Sequence, residues 1–322
     1  MKKIRIGIMG CAAIAKKSVV PALLALPDQF EVVAIASRSP EKAQEFAFLF
    51  GCKAITGYDN LLLEDIDAVY VPLPTGLHDE WVNKALLLGK HVYAEKSIAI
   101  SFASAQSMVE NAKKSSVALM EGYMFLYHTQ HQKVKSLVAE GAIGEIRNFR
   151  GAFGVPPLAV ENFRYDDKIG GGALFDVAGY PLRAVRFMLG DHFKVTASNL
   201  YTDPKTGTNL YGSAFLKDEN EIGAQIVFGL DHFYQCNYEI WGTKGKIKVE
   251  RAYTPAPDFK PTIILEQQGK LEIITEMACN HFIGAMQAFY DSITGVKSKE
   301  EHYTAILLQS ESLQQIKDLS KA

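Results

Sequence analysis

Through its first 121 residues the chain alternates short apolar runs with longer stretches of mixed polarity, and this alternation leaves few folds open to it. Residues 4–10, Ile-Arg-Ile-Gly-Ile-Met-Gly, form a short β-branched run of the kind buried as a strand. A turn over residues 11–15, a helix over 16–26 and a second apolar run at 31–36 complete a β-α-β unit. Strands are expected again at 67–72, 91–95 and 117–121, with helices at 79–88 and 102–114 between them. Strands joined through helices cross over and run parallel, so the spacing predicts a doubly wound parallel sheet. Ligands of such sheets collect beyond the carboxyl ends of the strands.

The turn after the first strand reads Gly10-x-Ala12-x-x-Ala15, a thin form of the G-x-G-x-x-G/A pattern that lets backbone approach a pyrophosphate at a helix amino terminus. Alone, the same residues suit a plain strand-turn-helix. At the end of the second strand, where an acidic residue would hold the ribose hydroxyls of NAD, the chain has Ser37 and Arg38, with Lys42 one turn later. An arginine there can fork onto a 2′-phosphate, which favours NADP over NAD. Pro72-Leu73-Pro74-Thr75 and Glu95-Lys96-Ser97 fall at the ends of two further strands, on the expected ligand side.

The second half reads differently. Strand-like runs at 146–153, 194–201, 212–216, 222–228, 236–242 and 245–250 crowd together, with further strands at 262–267 and 271–276. Such spacing predicts a large, mostly antiparallel sheet, closed by helices near 281–293 and 302–319. The expected fold class is α/β, with a Rossmann-like domain over 1–121 and an α+β domain over 122–322 for substrate binding and oligomerisation. Within the latter, Gly170-Gly171-Gly172 precedes Asp176 and Tyr180. Glycines let backbone approach a ligand closely, and an i, i+4 pair shares one face of an α-helix.

Bulk properties exclude several classes. A formal net charge of −2 gives no basic footprint for nucleic acid. No apolar stretch is long enough for a membrane span, and no secretory leader precedes the first strand. Cys11, Cys52, Cys236 and Cys279 form neither a C-x-x-C pair nor a disulfide framework, so a reducing, cytoplasmic setting and no metal are expected.

Taken in order, Gly10 to Ala15, Pro72-Leu73-Pro74-Thr75-Gly76-Leu77-His78, Glu95-Lys96-Ser97, Glu121-Gly122-Tyr123-Met124-Phe125 and Asp176-x-x-x-Tyr180 resemble the Gfo/Idh/MocA oxidoreductases nearly end to end. The resemblance implies that Gly10, Cys11, Ala12, Ala13, Ile14, Ser37, Arg38, Lys42, Pro72, Leu73, Thr75, His78, Glu95, Lys96 and Arg164 hold NADP. It places the family's catalytic lysine on Lys96 and the last residue of its D-x-x-x-H/Y motif on Tyr180, with Asp176 orienting the substrate or Lys96. Tyr123, His128 and Gln130 join Asp176 and Tyr180 as substrate candidates, although polar residues such as His128 and Gln130 also serve as helix caps. Ser97 departs from the family's proline, and two of the fingerprint's three glycines are alanine.

Ketone reduction needs a proton donor within hydrogen-bond reach of the carbonyl oxygen. A phenol with a pKa near 10 becomes a better participant beside an ammonium, which also stabilises a developing alkoxide. The resemblance implies NADPH-dependent reduction of a keto-deoxysugar linked to a nucleotide, with Tyr180 as donor and Lys96 assisting. An NADP-dependent dehydrogenase of a free aldose or cyclic trans-dihydrodiol is the second reading, and a silent dinucleotide-binding regulator the third. Retention of both Lys96 and Tyr180 speaks against the last. By the same resemblance, a homodimer or homotetramer joined through the second sheet is expected.

Overall fold

The apolar runs of the first half do form strands, each buried on both faces because helices cover the sheet. The computed structural model describes residues 3–159 and 161–321. Strands β1 (Ile4–Met9), β2 (Phe30–Ser37), β3 (Lys53–Thr56), β4 (Ala68–Val71), β5 (His91–Ala94) and β6 (Leu119–Glu121) build a parallel sheet in the order β3-β2-β1-β4-β5-β6. The order reverses between β1 and β4, which creates the crevice where such sheets receive ligands.

Helices α1 (Val20–Leu24), α2 (Pro40–Phe50), α3 (Tyr58–Leu62), α4 (His78–Leu87) and α5 (Phe102–Lys114) connect these strands. Helix α2 has its own signals: Ser39 caps it by accepting from the Lys42 amide, Pro40 opens it, and Gly51 ends it in the left-handed region. The helix expected over 16–26 is instead a π-helical turn, Ala15–Val19, running into α1.

Two compact units divide the chain, and the division departs from a single cut after residue 121. The first comprises the chain up to Gly122 together with Phe282–Ser310; the second comprises Tyr123–His281 and the residues from Glu311 onward. Aromatic packing explains the return to the first unit. From α8 (His281–Thr294), Tyr290 meets Phe30 edge-on at 5.8 Å and Phe289 packs 5.7 Å from Tyr93. From α9 (Lys299–Leu319), Tyr303 and Ile306 enter the first core, and the Tyr303 hydroxyl donates to the Val117 carbonyl.

In the second unit, β7 (Ile146–Gly154), β8 (Lys194–Thr202), β9 (Asn209–Lys217), β10 (Gly223–Gly229), β11 (Gln235–Gly242), β12 (Gly245–Val249), β13 (Thr262–Gln267) and β14 (Lys270–Thr275) form one sheet. Its order is β14-β13-β12-β11-β7-β10-β9-β8, antiparallel throughout except for the β7–β10 pair. Helices α6 (Thr129–Ala139) and α7 (Gly179–Leu189) belong to this unit. A π-helical turn, Leu174–Ala178, leads into α7 and packs with it against the sheet. Among the described residues, no helix is long and apolar enough to cross a membrane.

Candidate active site

In the first unit, the carboxyl ends of β1, β2, β4 and β5 deliver most of the expected cofactor residues to one edge. Gly10 leaves β1 with φ of 124°, a region that side chains with a Cβ rarely adopt. A Cβ there would also stand 3.0 Å from Cδ2 of Leu73, which arrives from the end of β4. Cys11, Ala12 and Ala13 follow, and Ile14 opens the π-helical turn. The Cys11 sulfur lies 3.5 Å from the Lys42 carbonyl. Burial raises its pKa, while a hydrogen bond with Ser37 and the Lys42 charge pull the other way. Cys11, Ser37 and Lys42 therefore adjoin one another, with the cysteine held as a thiol.

Arg38 follows β2 directly, and Tyr58, the first residue of α3, lies near enough for the Arg38 charge to act on its phenol. The Tyr58 hydroxyl would lie 3.8 Å from a Cβ on Gly10, and its ring meets Trp81 edge-on at 5.1 Å. Sequence reasoning missed Tyr58 because it belongs to the segment after β3, twenty residues beyond Arg38, where only pairing of β2 with β3 brings it back. Pro72, Leu73 and Thr75 leave β4 together. Glu95 and Lys96 leave β5, and the Lys96–Ser97 peptide bond is cis. The fully buried Tyr70 donates to Glu95 Oε1 at 2.7 Å.

Two expected cofactor residues stand apart from this edge: Arg164, which belongs to the second unit, and His78. His78 has no exposed surface, and its ring faces the carbonyls of Leu73, Ser97 and Ile98. It sits behind the cofactor edge.

In the second unit the triple glycine serves a purpose other than the expected approach to a ligand. A Cβ on Gly171 would stand 2.7 Å from each of the carbonyl oxygens of Phe163, Arg164 and Asp166. Gly172, with φ of 100°, donates to the Arg164 carbonyl at 2.8 Å, and a Cβ on it would strike Asn209. The glycines thus let the chain fold onto itself. The outcome is an ion pair of 2.6 Å between Arg164 Nε and Asp176 Oδ2, the carboxylate mostly buried. Asn209 Oδ1 accepts from the Leu174 amide at 2.7 Å, fixing the start of the π-helical turn that bears Asp176. No sequence signal marks Asn209, which stands 35 residues from Leu174.

Because Asp176 lies in that π-helical turn and Tyr180 in α7, they do not occupy the i, i+4 positions of one regular α-helix. The Tyr180 ring is boxed by Phe153, Tyr123, Tyr253 and Phe125 at 4.9, 5.6, 5.8 and 5.9 Å, with its hydroxyl 4.0 Å from the Met124 sulfur. Tyr123 is a buried wall of this box.

His128 and Gln130 fill structural positions. His128 Nδ1 caps α6 by accepting from the Gln130 amide, and the Gln130 side chain reaches the carbonyls of Arg251 and Ala252. Both side chains are fully buried, which places them in the core rather than on a binding surface. A hollow of about 410 Å³ at the hairpin tips of the second sheet, lined in part by Trp241, Lys246, Glu266 and Gln267, shares no residue with the expected site.

The donor set fits a dinucleotide: a Cβ-free turn at Gly10 leads into a helical segment, and Ser37, Arg38 and Lys42 gather at the end of β2 with no acid at residues 37–40. Comparison with known proteins bears on the same region. Residues 4–123 match the family described as "Oxidoreductase family, NAD-binding Rossmann fold", and residues 131–248 match the "GFO/IDH/MocA C-terminal domain". The chain is 40% identical over 299 residues, 92% of its length and 90% of the relative's, to dTDP-3,4-didehydro-2,6-dideoxy-alpha-D-glucose 3-reductase of Saccharopolyspora spinosa. It is 39% identical to the enzyme of the same name from Actinomadura kijaniata over 90% of this chain and 87% of the other.

Among solved structures, a 3-ketoreductase from Actinomadura kijaniata in complex with NADP and TDP-benzene superposes with a TM-score of 0.95 at 36% identity, covering 98% of both chains. Forms of that enzyme with a tyrosine or a lysine replaced are similar as well. The parallel nucleotide-binding sheet, the mostly antiparallel partner sheet and these matches along both halves establish that the chain belongs to the GFO/IDH/MocA family of oxidoreductases.

Proposed function

We propose that this chain is an NADPH-dependent ketoreductase acting on a keto-deoxysugar carried by a thymidine diphosphate. The observation that carries the reading is 40% identity over 92% of the chain to a dTDP-sugar 3-reductase. Arg38, Lys42 and Ser37 support the choice of cofactor, since cations at the end of β2 suit a 2′-phosphate and would leave NAD's ribose hydroxyls without an acidic partner.

When bound, NADPH supplies the hydride. Gly10 to Ile14, Pro72, Leu73, Thr75 and Glu95 would hold it along the cofactor edge. Tyr180 donates the proton to the substrate oxygen from its phenolic hydroxyl, and the Lys96 ammonium stabilises the negative charge developing there. The aromatic box fixes the Tyr180 ring by packing, leaving the hydroxyl as its polar end. Asp176 and Arg164 hold each other, so either can orient a substrate hydroxyl or phosphate without searching for its geometry.

The test is a substrate panel followed by NADPH absorbance: dTDP-linked 3-keto- and 4-keto-deoxysugars against free aldoses and cyclic diols. Turnover of a dTDP-keto-sugar at a kcat/KM at least about a hundredfold above any free sugar is expected. Preferred oxidation of a free aldose with NADP would establish the dehydrogenase reading instead.

A further inference from the structure

His78 stands at the first residue of α4 with carbonyl oxygens on both sides of its ring. Nε2 lies 2.9 Å from the Leu73 carbonyl, and Nδ1 lies 3.1 Å from the carbonyls of both Ser97 and Ile98. A ring nitrogen facing a carbonyl oxygen can act there only as a donor. Burial keeps the ring neutral with a single N–H, so it donates to one side only, and it stands wedged between the segment leaving β4 and the segment leaving β5, the two segments on either side of Lys96.

Other bonds hold the same stretch. The Glu95 amide donates to the Val71 carbonyl at 3.1 Å, and Tyr70 donates to the Glu95 carboxylate at 2.7 Å. The Ile98 amide donates to Glu121 Oε1 at 2.8 Å. Lys96 is thus flanked by tied residues on either side: Glu95 is tied to β4 ahead of the lysine, and His78 adds a contact from the segment leaving β4 to Ser97 and Ile98 beyond it. The Lys96 ammonium is close enough to oppose a second positive charge on the ring, and burial opposes it more strongly.

We propose that His78 is a positioning residue for Lys96: by one hydrogen bond and close packing between Leu73 and the Ser97–Ile98 segment it fixes the backbone from which the lysine is presented, and it makes no contact with the cofactor. The proposal rests on the role given to Lys96 above. Its physical basis is that catalysis by an ammonium depends on where the charge sits relative to the reacting oxygen, so freeing the backbone beneath it removes rate without removing the group.

The experiment compares His78→Phe, which fills the space without a donor, with His78→Asn, which retains one donor group, and with Lys96→Ala and the His78→Phe/Lys96→Ala pair. Hydrogen exchange of the 94–99 segment, the NADPH dissociation constant and kcat are read on each. In His78→Phe, exchange at the Ile98 amide should rise roughly tenfold or more. In the same variant, kcat should fall about 10- to 100-fold while the NADPH dissociation constant stays within about twofold. His78→Asn should recover part of both losses. The double variant should be no slower than Lys96→Ala, since a positioning residue has nothing left to position.

Unchanged exchange in His78→Phe overturns the bridge. An NADPH dissociation constant that rises as far as kcat falls overturns positioning in favour of cofactor contact, and multiplied losses in the double variant overturn the link to Lys96. If Lys96→Ala alone keeps its turnover, the lysine's role has failed, and the exchange data still decide whether His78 secures the segment. Should His78→Phe not fold, the same readings are taken on His78→Asn.

Discussion

At the level of single side chains, the expected cofactor edge turns on Arg38, with Tyr58 beside it. β2 ends at Ser37, so Arg38 emerges where the adenosine ribose of a dinucleotide is recognised in such sheets, and Tyr58 lies beside it. Burial raises the Tyr58 pKa, so this phenol stays protonated. Arg38→Ala should therefore weaken NADPH far more than NADH, by about 1.5–3 kcal/mol for a lost charged hydrogen bond, in calorimetric titrations with both cofactors. Tighter binding of NADH by the unaltered protein would show the edge to be built for NAD. The second prediction at this scale concerns Tyr180. Removing its hydroxyl leaves the ring in contact with Phe153, Tyr123 and Tyr253, so Tyr180→Phe should fold normally. Turnover should drop by about 10²–10⁴-fold with the NADPH dissociation constant nearly unchanged. Near-native turnover, with chemistry shown to be rate-limiting, would move the proton donor elsewhere.

Elements show what was legible in the chain and what was not. The parallel strands that are continuous apolar runs, as in Ala68–Val71, announced themselves, whereas the mostly exposed β3 did not, and Arg38 stood out as a candidate because it adjoins a strand end. Positions that depend on tertiary return were silent: Tyr58 reaches Arg38 through the pairing of β2 with β3, and Asn209 reaches Leu174 from the start of β9. The two π-helical turns, Ala15–Val19 and Leu174–Ala178, were also unreadable, because apolar periodicity does not resolve one extra residue in a turn. Glycine was visible but its purpose was not, since the space at Gly171 is filled by the chain's own carbonyls. Asn209 offers a test of this level. Leu174 is almost wholly buried, and Asn209→Ala leaves its amide without that acceptor, so stability should fall by about 1–3 kcal/mol in urea titrations. Stability within a few tenths of the parent would mean that the turn finds another partner.

Two properties belong to the molecule as a whole. The eight-stranded sheet turns Tyr211, Phe215, Val227, Leu271 and Ile273 outward on alternating positions, each more than a third exposed. The same face carries Trp241 with Arg150, Glu239, Lys246 and Glu266 between them, and self-association through this mixed apolar and charged face is expected. Light scattering at micromolar concentration should give a dimer or tetramer, and Ile273→Lys should shift it toward monomer. A monomeric parent protein would refute the expectation.

The second property is acid lability. Burial lowers the pKa of His78 and His91 to about 4, and of His131 and His281 to about 3, with His128 lowered in the same way. Each such ring is neutral when folded but takes up a proton near pH 6.5 when unfolded. Between those values the unfolded chain binds more protons, so stability is fully present above about pH 7 and declines as pH falls toward the folded values. Each group can contribute up to about 1.4 kcal/mol per pH unit. Four acting together would remove stability comparable to that of an ordinary domain within about two pH units. His78 and His91 lie in the first unit, His131 and His281 in the second, so both units should weaken over the same range. Urea titrations at pH 7, 6 and 5 should show a steep fall, with loss of structure by circular dichroism above about pH 4. A flat profile from pH 7 to 5 would mean that these rings are protonated in the fold. For His78 that outcome has a definite structural counterpart, because an imidazolium could donate to the carbonyls on both of its sides at once.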